Sequence, residues 1–479
     1  MKTLLKFGVE EALSHGAVYA DMRIIDRRYE TLASKNCDSL SSRTNFDRGF
    51  GIRVIADHCW GFSSSSKLNK DEIARIAKEA VDIAKSGIKL RRPITLADSK
   101  VHNVKWATPY EIDPFNVPKS EKISFLRELD KIMLSVPGIR IAKSIMMFKK
   151  EKKYYLSSEG SNIEQEFIIS GGGIRAVATS PDDVQVRSYP KGPPGLFQSK
   201  GYEFFKQFDF LSNAKRVATE AVQLLEADPC PVDERDIILT NEQLAFQIHE
   251  SVGHPAELDR VFGFEANWAG FTFLTPEKLD KFRFGSQEVN LVGDATSPYG
   301  MGTFAFDDEG IEAQNFHIVK DGIFTGYLSS RETAPMINQN ISHGNARASS
   351  WKRIPIIRMS NINLLPGKWD FNDLISDTEN GILMDTNKSF SIDHFRMNFQ
   401  FETEMGWEIK SGKIVRMLKN PLYQGITPEF WNSCDGICSE KFWEIGGTIN
   451  CGKGEPEQII EVGHGTAPAR FRKVKVGLR

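Results

Sequence analysis

The stretch Phe246-Gln-Ile-His-Glu-Ser-Val-Gly-His254 holds two of the nine histidines of a 479-residue chain, five positions apart, with a glutamate directly after the first. Imidazoles bind zinc, and a neighbouring carboxylate can take the proton of the water such an ion activates. In the zinc-protease pattern H-E-x-x-H, the i, i+4 spacing puts both rings on one helical face. This chain has one residue more. An i+5 partner lies roughly 140° round a regular helix, against roughly 40° for i+4, so His249 and His254 can share a metal only on a distorted helix. A π-bulge absorbs the extra residue. Gly253 is conformationally free, and Pro255 has no N–H to return to the Ser251 carbonyl. The sequence therefore predicts a bulged or broken helix over about 242–260.

A catalytic zinc takes three protein ligands and keeps one position for water. Cys451, in the glycine-flanked segment Gly446-Gly-Thr-Ile-Asn-Cys-Gly-Lys-Gly454, is the preferred third ligand. His464, between two glycines, is second and His343 third. Cys434 and Cys438 read as spare loop thiols. The acids Asp307, Asp308 and Glu309 read as a solvated turn rather than a second cation site. Arg347, in the basic segment 343–353, is a candidate to hold a substrate carboxylate or carbonyl.

The elements that must position these residues fall into two halves. Before residue 226, helical periodicity over 4–13, 69–84, 120–136 and 213–225 alternates with strand-like runs at 19–29, 31–43, 49–64, 139–149, 153–158, 162–179 and 183–189. Asn69 with Glu72 forms a capping box. The acidic, proline-containing stretch 226–233 reads as a linker. Beyond it come many strands with Gly and Asp turns, a helix at His249 and another after Ser330. The expectation is an α+β protein of two domains. Residues 1–225 form an N-terminal α/β domain with an antiparallel sheet and flanking helices, and 226–479 a twisted, mostly antiparallel β domain carrying the metal-binding helix.

Composition narrows the function. The chain is 40% hydrophobic and 26% charged with a formal charge of −2, which gives no global electrostatic reason to expect nucleic-acid binding. No apolar run reaches the ~18 residues of a membrane span, and charge interrupts the N-terminal stretch too early for a secretory signal. Six irregularly spaced cysteines read as reduced thiols of a cytoplasmic protein.

Five motifs in order carry a resemblance: Phe46-Asp-Arg-Gly-Phe-Gly-Ile-Arg-Val with Trp60-Gly-Phe-Ser-Ser, His249-Glu-x-x-x-His254, Asp307-Asp-Glu-Gly, Gly344-Asn-Ala-Arg and Asn450-Cys-Gly-Lys. Together they resemble the TldD/PmbA metalloproteases, the modulator of DNA gyrase family, over nearly the whole chain. The resemblance implies a zinc peptidase in which His249, His254 and Cys451 bind the metal and Glu250 is the general base. It also implies cleavage of small or unfolded peptides by a homodimer, or by a heterodimer with a related subunit, with this chain of the active type. Extended peptides are expected to bind by strand addition at a sheet edge. The competing reading is a non-catalytic peptide-binding or regulatory subunit with a structural metal. Direct binding to gyrase or DNA is a weaker third.

Overall fold

Alternating apolar and polar residues from Tyr19 onward give strands longer than the sequence punctuation suggests. The computed structural model describes residues 1–87, 93–268 and 270–477. Within it Tyr19–Lys35, Ser39–Ala56 and Cys59–Ser65 form an antiparallel meander. The break expected near residue 30 is absent, because Tyr29-Glu30-Thr31 keeps the period-2 alternation of an extended chain. The turn falls instead at Asn36 and Cys37, with φ of 54° and 63°. The second turn is at Asp57 and His58, where the sequence places it. The runs at 139–149 and 153–158 likewise fuse into one strand, Ile139–Ser157, antiparallel to Asn162–Thr179.

These long strands are the middle of a ten-stranded sheet. Its order is Gln458–Thr466, Glu444–Lys453, Leu196–Gln198, Asn162–Thr179, Ile139–Ser157, Tyr19–Lys35, Ser39–Ala56 and Cys59–Ser65, with Asn103–Ala107 and Val184–Tyr189 also on Asn162–Thr179. Helices Lys2–Ser14 and Lys70–Ser86 seal one end, where Leu5, Val9, Ile73 and Ile76 meet Ile52 and Val54. Asn69 Oδ1 accepts the Glu72 N–H at 2.9 Å, so the cap forms, but not the box: the Glu72 carboxylate accepts from Ser65 and Arg75, and the Asn69 N–H donates to the Lys67 carbonyl. Helices Lys119–Leu134 and Phe210–Glu226 cover the other end.

A second body is a closed barrel. Asp233–Leu239 pairs in parallel with Asn380–Ile392. From there Asn398–Lys410, Leu422–Ile426 and Ala469–Val476 continue antiparallel until the last returns to Asp233–Leu239. Closure leaves few free edges. The chain is thus α+β with antiparallel sheets, but the strands after 226 do not form one sheet. Some build the barrel, and others a four-stranded sheet around Leu291–Asp294. Glu444–Lys453 and Gln458–Thr466 cross to the long sheet, which so draws strands from both sides of residue 226. The helix expected after Ser330 is only the 3-10 turn Ala334–Ile337, since Pro335 cannot continue a helix at its start from a full turn before it.

The acids Asp307, Asp308 and Glu309 are buried, which corrects the solvated-turn reading. Asp308 meets Lys153 at 2.7 Å and Arg23 at 3.4 Å, and Glu309 meets Arg53 at 2.9 Å. All three cations sit on the long strands, so Asp308 and Glu309 fasten this loop to the ten-stranded sheet, while Asp307 accepts the backbone N–H groups of Glu309, Ile311 and Ala346. Buried charges survive only when paired in this way.

Candidate metal centre

Leu244, Ile248 and Val252 are spaced four apart and fully buried in the core that also holds Phe399, Phe401, Tyr423 and Phe471 of the barrel. That apolar face fixes the helix Asn241–Ile248 and its continuation, the π-helical turn His249–Gly253. The His254 N–H donates to the His249 carbonyl at 3.2 Å, an i to i+5 bond. Ser251 anchors the turn: its hydroxyl donates to the Gln247 carbonyl at 2.5 Å and accepts the Trp431 Nε1–H at 2.9 Å. A short helix, Leu258–Val261, follows. Gly253 is required by contact rather than by φ, for a Cβ there would lie 2.4 Å from Met359 Sδ.

The bulge puts His249 and His254 on one side, with ring centroids 4.8 Å apart. Cys451 arrives from the strand Glu444–Lys453 of the long sheet. One ligand atom from each of His249, His254 and Cys451 lies within 4.8 Å of the others, and all three residues are buried. His254 Nε2 is 3.7 Å from Cys451 Sγ. Tetrahedral zinc, with Zn–N near 2.0–2.1 Å and Zn–S near 2.3 Å, would place such donors about 3.3–3.6 Å apart. The set fits after a contraction of roughly 1 Å, and two imidazoles with a thiol are chemistry that zinc accepts.

The surrounding hydrogen bonds orient the rings. The Ile362 carbonyl can only accept, so His464 Nδ1 donates to it at 3.2 Å. His464 Nε2 then accepts from His249 Nδ1 at 2.8 Å. His254 Nδ1 donates to Glu257 Oε2 at 3.0 Å. Each candidate ligand therefore keeps the Nε2 lone pair, the tautomer control expected around metal-binding histidines. Burial pushes His249 below the ordinary histidine range, and His254 and His464 well below it, toward the neutral form. Burial alone would raise the Cys451 thiol, but the Arg358 guanidinium and His254 outweigh it and hold it below the usual value. Arg358 is itself pinned, donating at 2.6 Å to the carbonyls of both Cys451 and Gln458.

Glu250, next to His249, faces a cleft of about 450 Å³ that all three candidate ligands line. Its Oε2 forms an ion pair with Arg396. Arg396 stands at the tip of the hairpin joining Asn380–Ile392 to Asn398–Lys410, at φ 64°. It was not legible in the sequence, since no motif surrounds it. Glu257 stands three residues after His254, a helical spacing that is visible in the sequence.

The other candidates lie apart from this group. His343 stacks on Phe316 at 3.8 Å and holds the Tyr327 carbonyl at 2.8 Å. Cys434 and Cys438 are free and buried, and burial raises both thiols, Cys438 to about 12. They are core residues, not loop thiols. Arg347 donates to the carbonyls of Met359 and Glu461 at 2.8 and 3.0 Å and does not line the cleft beside the histidines.

A buried His, His, Cys donor set on a bulged helix, with a carboxylate facing a cleft, has the make-up of a metallopeptidase centre. Family models of the PmbA/TldA metallopeptidases match in three parts: domain 1 over 21–84, the central domain over 112–225 and the C-terminal domain over 233–477. The chain belongs to the PmbA/TldD metallopeptidase family. It is 30% identical to a Methanocaldococcus jannaschii metalloprotease, over 95% of this chain and 96% of the other. It is 25% identical to a Saccharolobus solfataricus protein named zinc metalloprotease TldD homolog, over 98% of each. Its fold is shared with a Thermotoga maritima protein described as a candidate modulator of a DNA gyrase, with TM-score 0.77, 14% identity and coverage of 99% and 100%. TldE of Thermococcus kodakarensis shares it too, with TM-score 0.72, 16% identity and full coverage of both chains.

Proposed function

We propose that the chain is a zinc-dependent peptidase in which His249, His254 and Cys451 hold the metal and Glu250 is the general base. The observation that carries this reading is the convergence of three metal-binding atoms within 4.8 Å beside a carboxylate that faces a cleft. Zinc held there supplies Lewis acidity toward a water and toward the peptide carbonyl. Glu250 takes the proton of the attacking water on a carboxylate oxygen and returns it to the leaving amine nitrogen. Arg396 holds the Glu250 side chain at the cleft wall, and His464 and Glu257 keep the two rings aimed.

Small or unfolded peptides are the proposed substrates, bound by strand addition. Among the described residues, the strand Glu444–Lys453 pairs along one side with Gln458–Thr466 but on the other only at Gly447, with Phe197. At 448–450, next to Cys451, the chain is half-buried to exposed and, among the described residues, has no strand on this side, so it is left to pair with an extended chain, which favours backbone over sequence recognition. We further propose two units, 1–225 and 226–479, and work as a dimer, with a second copy or a related subunit. The six cysteines are all free, which supports a reducing, cytoplasmic setting. No helix among the described residues is long and apolar enough to cross a membrane.

Glu250→Gln tests the assignment: zinc should stay and hydrolysis of a quenched-fluorescent peptide should fall at least ~100-fold, the lower end of general-base contributions. Undiminished hydrolysis would remove Glu250 from the mechanism.

A further inference from the structure

The cleft continues beyond His249. A cavity of about 520 Å³ is lined by His249, by Glu242 and by the loop that begins at Lys191. On the other side of that loop a second cavity of about 370 Å³ opens, and the two share Arg175, Lys191, Pro193, Pro194 and Gly195 as walls. The two cavities adjoin across this loop, and we treat them together as one groove.

The groove is cationic. Its second half is lined by Lys35, Lys143, Arg175 and Lys191 and by no carboxylate. Among the described residues none of these four cations is in a salt bridge, and Arg175 Nε is buried without a hydrogen-bond partner. In the first half, Glu242 and, to a lesser degree, Glu444 act on Lys191, while Glu404 acts on Arg175, and these carboxylates do not cancel the charge of the whole groove. Glu404 is engaged by Arg187 and by the Ser188 N–H and hydroxyl. Glu242 Oε1 accepts the Gly192 N–H at 2.6 Å, while Oε2 is buried with no partner. Burial pushes the Glu242 carboxyl up to about 8 and pushes the facing Lys191 ammonium down, so near neutrality the pair offers hydrogen-bond donors rather than a negative charge, and the positive charge of the groove rests on Lys35, Lys143 and Arg175. A buried cation or O–H without a partner has most to gain from an incoming carboxylate.

The groove has a defined reach from the reaction centre. Glu242 precedes His249 by seven positions along the helix, about 10 Å at 1.5 Å per residue. An extended peptide spans that distance in about three residues. Resting on the peptidase reading above, we propose that this groove is a subsite for peptide carboxylates lying about three or more residues from the bond that is cut. Acidic peptides, or peptides whose free C-terminus reaches the groove, are then the preferred substrates.

The test uses the full chain carrying Glu250→Gln and loaded with zinc, so that binding is read without turnover. Fluorescent decapeptides of one neutral host sequence are compared by anisotropy: amidated, amidated with a Glu block in the first or the last third, with a free C-terminus, and amidated with Lys blocks. The proposal expects a Glu-block peptide, the free-carboxylate peptide or both to bind on the order of 10-fold tighter than the amidated host and the Lys peptides to bind weaker. Which arm gains identifies the source of the carboxylate. The preference should shrink as salt is raised and vanish in Lys35→Gln/Lys143→Gln, two exposed positions, with zinc content and melting midpoint confirming the fold. Equal affinities for all peptides, or a preference untouched by both salt and the double variant, would overturn it. The same peptides given to the unsubstituted enzyme separate the two readings. Acid-selective binding without any hydrolysis sinks the peptidase assignment and keeps the groove, and hydrolysis indifferent to charge does the reverse.

Discussion

The His254 N–H reaches the His249 carbonyl across five residues, at 3.2 Å, and this one bond lets two histidines of the wrong spacing for a regular helix face the same point. The turn is held from both sides, by Ser251 with Trp431 and by Gly253 against Met359. Gly253→Ala forces the Met359 side chain aside and should lower stability by about 1–3 kcal/mol, the usual range for overpacking. Zinc affinity should fall with it. Thermal melts and competitive zinc titration check both, and an unchanged melt would mean that the glycine contact is idle.

His464 and Cys451 compete on paper for the place of third ligand, and variants separate them. Cys451→Ala should abolish stoichiometric zinc. His464→Ala should keep zinc at saturation but weaken it about 10–100-fold, as loss of an orienting partner does, because His464 touches His249 Nδ1 rather than completing the donor set. Full occupancy in the cysteine variant together with loss in the histidine variant would reverse the assignment.

Arg396 forms its ion pair with Glu250, while its charge also reaches His249, His254 and Cys451. Arg396→Ala should lower kcat by about 10–100-fold with little change in KM, since misplacing a positioned group costs rate more than ground-state binding. Arg396→Lys should recover part of it. A rise in KM at constant kcat would instead make Arg396 a substrate contact.

Glu242 predicts a pH effect on stability. Its carboxyl lies at about 8 in the folded chain because it is buried, against 4.5 ordinarily. Between those values the folded state holds a proton that the unfolded state has released, so stability from this group falls as pH rises from 4.5 to about 8 and levels off above. Glu242→Gln should remove that slope. The melting midpoint of the variant relative to the parent should climb through this window, and parallel curves would contradict the buried, protonated carboxyl.

Much of this was legible in the chain. The need for a distorted helix followed from counting degrees per residue between His249 and His254, whereas the glycine-flanked segment put Cys451 only slightly ahead of His464 and His343. Asn69 and Glu72 announced their helix. Other features were hidden for physical reasons. A strand such as Tyr19–Lys35 shows no break at polar residues, because alternation, not hydrophobicity, sustains it. That Glu444–Lys453 leaves the barrel for the long sheet depends on long-range pairing at Gly447 with Phe197, which no local pattern encodes. Asp308 and Glu309 looked like part of a surface turn because their partners, Lys153, Arg23 and Arg53, lie at least 150 residues away. Arg396 sits in an ordinary hairpin tip and meets Glu250 only through the closed barrel.

The most direct test of the central claim is zinc per chain, measured by elemental analysis on the protein as purified and on His249→Ala, His254→Ala and Cys451→Ala after equilibration with zinc. The account predicts about one zinc per parent chain and well below one in each variant, with secondary structure retained. A parent chain that takes up no zinc, or three variants that all remain fully loaded, would contradict it.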